Sequence, residues 1–214
     1  MDLCTYHSHC NFCDGKAPAE DFVRAAIEAG FHSYGISSHS PLPFETRWSL
    51  SKGNVEAYLM ELKRLQEKYA GQIELYVGME IDYLNDDWGP AVEYFQRMPL
   101  DYRIGSVHLV TEEQTGEIMD MDGKFEDFRE NLRMVFRDDL KYLVEAYFKA
   151  SSRMVELGGF DFVAHLDKIS MNGSLMDSTL TKQEWYNRLL WDYMSLIANS
   201  GDRVHVEHER QIEV

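Results

Sequence analysis

The chain has 214 residues, 44% hydrophobic and 27% charged, with 21 Lys and Arg against 37 Asp and Glu for a formal net charge of -16. That length supplies one domain with a substantial core. The charge opposes binding to nucleic-acid backbones or anionic membranes, and no stretch approaches the roughly 20 apolar residues that cross a bilayer.

The opening Met-Asp-Leu-Cys-Thr-Tyr-His has neither the basic nor the apolar region of a signal peptide. Asp2–Tyr6 reads as a short strand. Pro18–Ala29 reads as a helix, with proline and acids in its first turn and Gly30 past its end. Ser33–Ser37 is a second strand. Asn54 is placed to cap a helix whose apolar residues Val55, Tyr58, Leu59, Leu62, Leu65 and Tyr69 recur at helical spacing before Gly71. Ile73–Ile81 reads as one strand, Trp88–Arg97 as a short helix and Tyr102–Val107 as a strand. The polar stretch Glu112–Lys124 reads as a loop or hairpin. A long helical region follows from Phe125 to about Leu157, open to a break into two pieces, and Gly158-Gly159 ends it. Phe160–Ala164 fits a buried strand, Thr181-Lys-Gln-Glu184 a capping box opening a helix to about Asn199, and Arg203–Glu209 a last strand. About six β units separated by helices predict an α/β protein with a mainly parallel sheet.

The polar residues fall in a pattern on these strands. The first runs into His7 and His9, the second into His39, the third reaches Glu80, the fourth runs into His108 and the fifth into His165. In a β/α barrel the C-terminal strand ends share one face, where such folds build their sites. Imidazoles and a carboxylate converging there suit a divalent metal such as Zn, Mn or Fe. Asp14, in the loop after His9, could lend a further carboxylate, whereas His32 stands outside the pattern as structural or exposed. The three cysteines, Cys4, Cys10 and Cys13, make no disulfide framework, which fits a reducing, cytoplasmic compartment. Cys10-x-x-Cys13 lacks the second pair of a zinc ribbon. It also precedes a loop, not the helix N-terminus that a redox motif requires. Phosphate-loop, dinucleotide-binding and nucleophile-elbow motifs are absent from the sequence.

Five segments resemble, in order, the motifs of the PHP (polymerase and histidinol phosphatase) superfamily. They are Tyr-His-Ser-His-Cys-Asn-Phe-Cys-Asp-Gly at the start, Tyr-Gly-Ile-Ser-Ser-His-Ser-Pro-Leu-Pro-Phe around His39, Val-Gly-Met-Glu-Ile-Asp around Glu80, Ile-Gly-Ser-Val-His at His108 and Phe-Val-Ala-His-Leu-Asp at His165. The stand-alone histidinol-phosphatase branch is the most similar, over residues 1 to about 200. The resemblance implies a single domain over residues 1–214 with a distorted TIM-like barrel of seven β/α units. It implies two to three divalent ions: His7 and His9 on the first, Glu80 bridging to a second held by His108 and His165, and Asp14 and His39 on a third. The implied reaction is hydrolysis of L-histidinol phosphate to L-histidinol and phosphate, in histidine biosynthesis, by attack of a metal-bound hydroxide. Arg47 and Ser106 are candidate contacts to the substrate.

The family's closing Asp-x-His motif has no counterpart here. The chain ends Asp-Arg-Val-His-Val-Glu-His-Glu-Arg-Gln-Ile-Glu-Val, where His205, Glu207 and His208 do not match its spacing. A domain shortened or altered after about residue 200 is therefore expected, with an incomplete barrel whose unpaired edges invite self-association. Two alternatives stay open: the same chemistry on another small phosphoester, and a metal-binding member that has lost turnover. A nucleic-acid role, as in polymerase-attached PHP domains, is disfavoured by the charge.

Overall fold

The computed structural model describes residues 3–200 and the strand at 205–206. It is a mixed α/β fold with two compact units: of the described residues, 3–81 and 93–104 form the first, and 82–92, 105–200 and 205–206 the second.

In the first unit, β1 (Leu3–Thr5), β2 (Phe31–Ile36) and β3 (Glu74–Val77) form a parallel sheet in the order β1-β2-β3. Two crossover helices cover it, α1 (Ala19–Glu28) packing on β2 and α2 (Val55–Lys68) on β3. Both are amphipathic. Val23 and Ala26 of α1, and Tyr58, Leu62 and Leu65 of α2, are buried at helical spacing. The helices are tied by Glu20, which accepts hydrogen bonds from Lys68, from Arg64 at 2.6 Å and from the Tyr69 hydroxyl at 2.8 Å.

These three donors, Lys68 foremost, hold the Glu20 carboxyl at about 2, below its ordinary 4.5. A depressed carboxylate stabilises the fold above its unfolded pKa, and the contribution is lost as pH falls through the folded one. Glu20→Gln is therefore expected to lower the melting temperature at pH 7, by an amount that shrinks as pH falls toward 2 and vanishes below it. Equal melting of both chains at pH 7 would dismiss the tie.

One expected strand proves to be two. Ile73–Ile81 divides into β3 and β4 (Glu80–Asp82), with Gly78 and Met79 between them. The side chain of Tyr102 packs against the break at Gly78. Its hydroxyl donates to the Tyr6 carbonyl, and its ring fills the space where a Cβ on Gly35 or Gly78 would sit, 2.3 and 2.2 Å from the nearest Tyr102 atom. Past the break the backbone keeps its neighbour, with Gly78 N–H donating to the Ile36 carbonyl at 2.8 Å and Glu80 N–H to Ser38 at 3.1 Å. His39 and Glu80 thereby face each other across a parallel bridge. Tyr58, wholly buried, locks the same strand ends, accepting from Ser38 N–H at 3.2 Å and donating to the Gly78 carbonyl at 2.7 Å. Asn54 precedes α2 as expected but makes no capping bond, because a 3-10 turn over Lys52–Asn54 feeds the helix. The expected helix at Trp88–Arg97 contracts to α3 (Glu93–Gln96).

The second unit is built round α5 (Leu140–Leu157), which packs against α7 (Glu184–Asn199) and α4 (Phe125–Phe136). The long helical region does break. Arg137 and Asp138 take left-handed backbone angles, and Asp139 then accepts from Tyr142 N–H at 2.9 Å to cap α5. Phe128, Leu132 and Phe136 of α4, Leu143, Val144, Tyr147 and Phe148 of α5, and Tyr186 and Tyr193 of α7 form one core. The polar stretch at 112–124 is a hairpin of β6 (Leu109–Thr111) and β7 (Ile118–Asp120). The ends of β4 and β5 (Ile104–Ser106), then β8 (Phe162–Val163) and β9 (His205–Val206), follow one another in a single sheet, β9 parallel to β8.

Two helix starts differ from expectation. A helix α6 (Ile169–Met176) was not anticipated, since Asn172 and Gly173 weaken its pattern. The capping box is not used: Thr181 lies in a 3-10 turn, and Gln183 precedes α7 without a side-chain cap. Glu207 and His208, and the side chain of His205, lie outside the described residues. Among the described residues, no helix is long and apolar enough to cross a membrane.

Candidate metal centre

Each unit carries its own constellation. In the first, Glu80 is fully buried, a costly position for a carboxylate unless cations or strong donors surround it. Three imidazoles do so: His7 Nε2 lies 3.2 Å from Glu80 Oε2, His9 Nε2 3.1 Å and His39 Nδ1 3.1 Å. The fold explains this convergence. β1 ends just before His7, β2 just before His39, and β4 opens with Glu80, so strand ends in one parallel sheet and its continuation deliver all four. Asp14, on the loop after β1, has Oδ1 3.0 Å from His9 Nδ1 and Oδ2 3.9 Å from His39 Nε2.

The electrostatics follow from this packing. Burial disfavours charge on His9, but hydrogen bonds with Asp14, Cys13 and Glu80 outweigh it and raise its pKa well above 6.5. Burial likewise pushes Asp14 up, and its hydrogen bond to His9 and the charge of His39 bring it down to about 2. Metal coordination requires neutral imidazole, so protons and metal compete at His9.

The donor chemistry fits a divalent ion. Ligand atoms of His9, His39 and Glu80 all lie within 4.8 Å of one another, a nitrogen-and-oxygen set suited to Zn, Mn or Fe. His32 is exposed on β2, 3.7 Å from Glu74 and apart from this set.

In the second unit, His108 Nδ1 and backbone N–H both lie on Asp82 Oδ1, at 2.7 and 3.1 Å. Asp82 and His108 are buried, and the rings of His108 and His165 stand 5.2 Å apart, edge to face. His165 has a φ of 53°, a left-handed conformation unusual for a residue with a side chain. The Tyr147 hydroxyl holds it there, donating to the His165 carbonyl at 2.7 Å and accepting from Lys168 N–H at 3.2 Å.

The remaining candidates lie as follows. Arg47 is exposed on the loop after His39, and Ser106 is buried on β5, two residues before His108. Sequence reasoning missed Trp48, whose ring stands 4.8 Å from that of His39 because Leu50 N–H returns to the His39 carbonyl. It also missed Asp82. The signal was present there: two residues after Glu80 on one strand is the same face.

Comparison with known proteins places these features in a family. A model described as PHP domain matches residues 5–208. A Deinococcus radiodurans protein named "Probable histidinol-phosphatase" is 26% identical over 174 residues, covering 77% of this chain and 60% of its own length. A Bacillus subtilis protein named "Histidinol-phosphatase" is 25% identical over 135 residues, covering 54% of this chain and 47% of that protein. The chain thus spans about half to three fifths of the length of these relatives. A solved structure from Listeria monocytogenes named "putative histidinol phosphatase" superposes with a TM-score of 0.75 at 22% identity, covering 92% of this chain and 79% of that one; the likeness is one of fold.

Proposed function

This chain belongs to the PHP domain family, and we propose on that premise that it is a metal-dependent phosphomonoesterase hydrolysing L-histidinol phosphate to L-histidinol and phosphate. The observation that carries the reading is the meeting of His7, His9 and His39 on one buried carboxylate, Glu80, a donor set that suits divalent metal. The names of the relatives supply the substrate.

The proposed ligands are His7, His9, Asp14, His39 and Glu80 in the first unit and His108 and His165 in the second, for two to three ions of Zn, Mn or Fe. Such ions, when bound, neutralise phosphoryl oxygens and bring the pKa of a water toward neutrality. The residues do the rest. Buried Glu80 offers a shared anionic oxygen. Asp82, engaging His108 Nδ1, sets the tautomer that presents Nε2 as a ligand. Arg47 and Ser106 are the proposed substrate contacts, the first exposed and the second buried beside His108. The seven-unit β/α barrel, a place in histidine biosynthesis, a cytoplasmic location and association of copies at unpaired strand edges belong to the same proposal.

The test is phosphate release from L-histidinol phosphate by metal-stripped protein, with Mn²⁺, Zn²⁺ or nothing added back. Turnover that requires added metal and is lost in His108→Ala supports the reading. Folded protein that binds metal but releases no phosphate from this ester rejects it. Asp82→Asn is expected to weaken metal affinity about 10- to 100-fold, as loss of a ligand-orienting partner does. Zn²⁺ titration against a chelator measures it, and an unchanged affinity would remove Asp82 from the centre.

A further inference from the structure

The loop that follows β1 carries a second set of donors. Asp14 Oδ1 lies 3.0 Å from His9 Nδ1, Cys13 Sγ 3.4 Å from that same oxygen, and Cys13 Sγ 3.7 Å from His9 Nδ1. A tetrahedral ion with metal–sulfur bonds of about 2.3 Å and metal–nitrogen or –oxygen bonds of about 2.0–2.1 Å spaces its ligands about 3.3 Å apart for nitrogen and oxygen, and about 3.6 Å for pairs including sulfur. The three observed edges lie within a few tenths of an ångström of that triangle. The loop is closed on itself, with Cys13 N–H donating to the Cys10 carbonyl at 3.0 Å and Asn11 N–H to Ala17 at 2.9 Å, so thiol and carboxylate are held together by backbone bonds. Asp14 is half exposed, which leaves the fourth position open to water.

The other cysteines do not share this placement. Cys10 is buried with its sulfur 3.3 Å from Ser38 Oγ, and Cys4 is exposed on β1. His9 and Asp14 are the shared elements: His9 Nδ1 belongs to this triangle while its Nε2 faces Glu80, and Asp14 Oδ1 belongs to it while its Oδ2 lies 3.9 Å from His39 Nε2.

We infer that His9, Cys13 and Asp14 form a thiolate-bearing site for thiophilic divalent ions of the Zn²⁺, Co²⁺ and Cd²⁺ class, which draws His9 and Asp14 from the nitrogen-and-oxygen set proposed above and adds Cys13 as a ligand. A thiolate favours these ions over Mn²⁺ or Mg²⁺. Coordination releases the Cys13 thiol proton and any proton on His9 Nδ1 to solvent. A neutral imidazole has one ring lone pair, so an ion on His9 Nδ1 leaves Nε2 as an N–H donor toward Glu80 and not as a ligand, and an excess of a thiophilic ion competes with the metal centre.

Optical titration of metal-stripped protein with Co²⁺ tests this without turnover, so its outcome is separate from that of the phosphatase reading. Wild type is expected to develop a thiolate-to-cobalt charge-transfer band in the near ultraviolet. Cys13→Ser should lose that band yet keep the weaker visible bands of cobalt bound elsewhere, and Cys4→Ser and Cys10→Ser should retain it. Asp14→Asn, which leaves the thiol in place, should need at least about tenfold more Co²⁺ to reach half the band. Absence of the band from wild type in excess Co²⁺, or its survival in Cys13→Ser, overturns the assignment.

Discussion

Glu80→Gln is expected to lower phosphate release from L-histidinol phosphate by about 10³-fold, the rate equivalent of about 4 kcal/mol of transition-state stabilisation. The substitution keeps the size and shape of the side chain, so a residue with no exposed surface is exchanged without opening a cavity. What changes is charge. Three imidazole nitrogens now stand 3.1–3.2 Å from one anionic oxygen; after the exchange they face a neutral amide unsuited to holding a cation. Metal content by elemental analysis should fall together with activity, while circular dichroism stays that of the parent. An activity within threefold of the parent would mean that Glu80 is only a structural counter-charge to its histidines.

The second large effect is on stability. Phe128→Ala should cost about 3–5 kcal/mol, the usual range for emptying a buried aromatic site. Phe128 has no exposed surface and lies on the buried stripe of α4 with Leu132 and Phe136, inside the core of the second unit. Against a typical domain stability of about 5–15 kcal/mol this is a large fraction, and for a chain of this size it corresponds to a drop of about 10 °C in melting temperature. Calorimetry checks it. A shift below about 2 °C would show that neighbouring side chains collapse into the space.

Much of this was legible in the residues. The strands before His7, His39, His108 and His165, and the one that opens on Glu80, could be located because apolar runs meet a polar residue at each of these places. Helix faces were legible for the same reason, as at Tyr58, Leu62 and Leu65. Long-range contacts were not. Nothing local announces that Tyr102 reaches the Tyr6 carbonyl and packs against Gly78, where the strand over 73–81 divides. Nor does composition show that Trp48 folds back on His39, or that Tyr147 holds His165 in a left-handed turn. The capping box at Thr181 misled for a related reason: the 3-10 turn at Leu180–Lys182 anchors Leu180 in the core and delays the helix. Cys13 was weighed as half of a cysteine pair, whereas the side chains its sulfur meets are those of His9 and Asp14, and Cys10 offers it only a backbone carbonyl.

The accommodation of Tyr102 by Gly35 and Gly78 bears on how this chain can change over generations. A methyl at either glycine meets the tyrosine well inside contact distance, and a smaller residue at 102 leaves an empty slot against both. The three positions are therefore coupled: a single change at any of them is expected to destabilise the fold, and alanine at 78 with a smaller side chain at 102 is expected to cost less than alanine at 78 alone. Lineages that cross this step should differ at both places or at neither, and the order of the two changes should be constrained, the tyrosine yielding first.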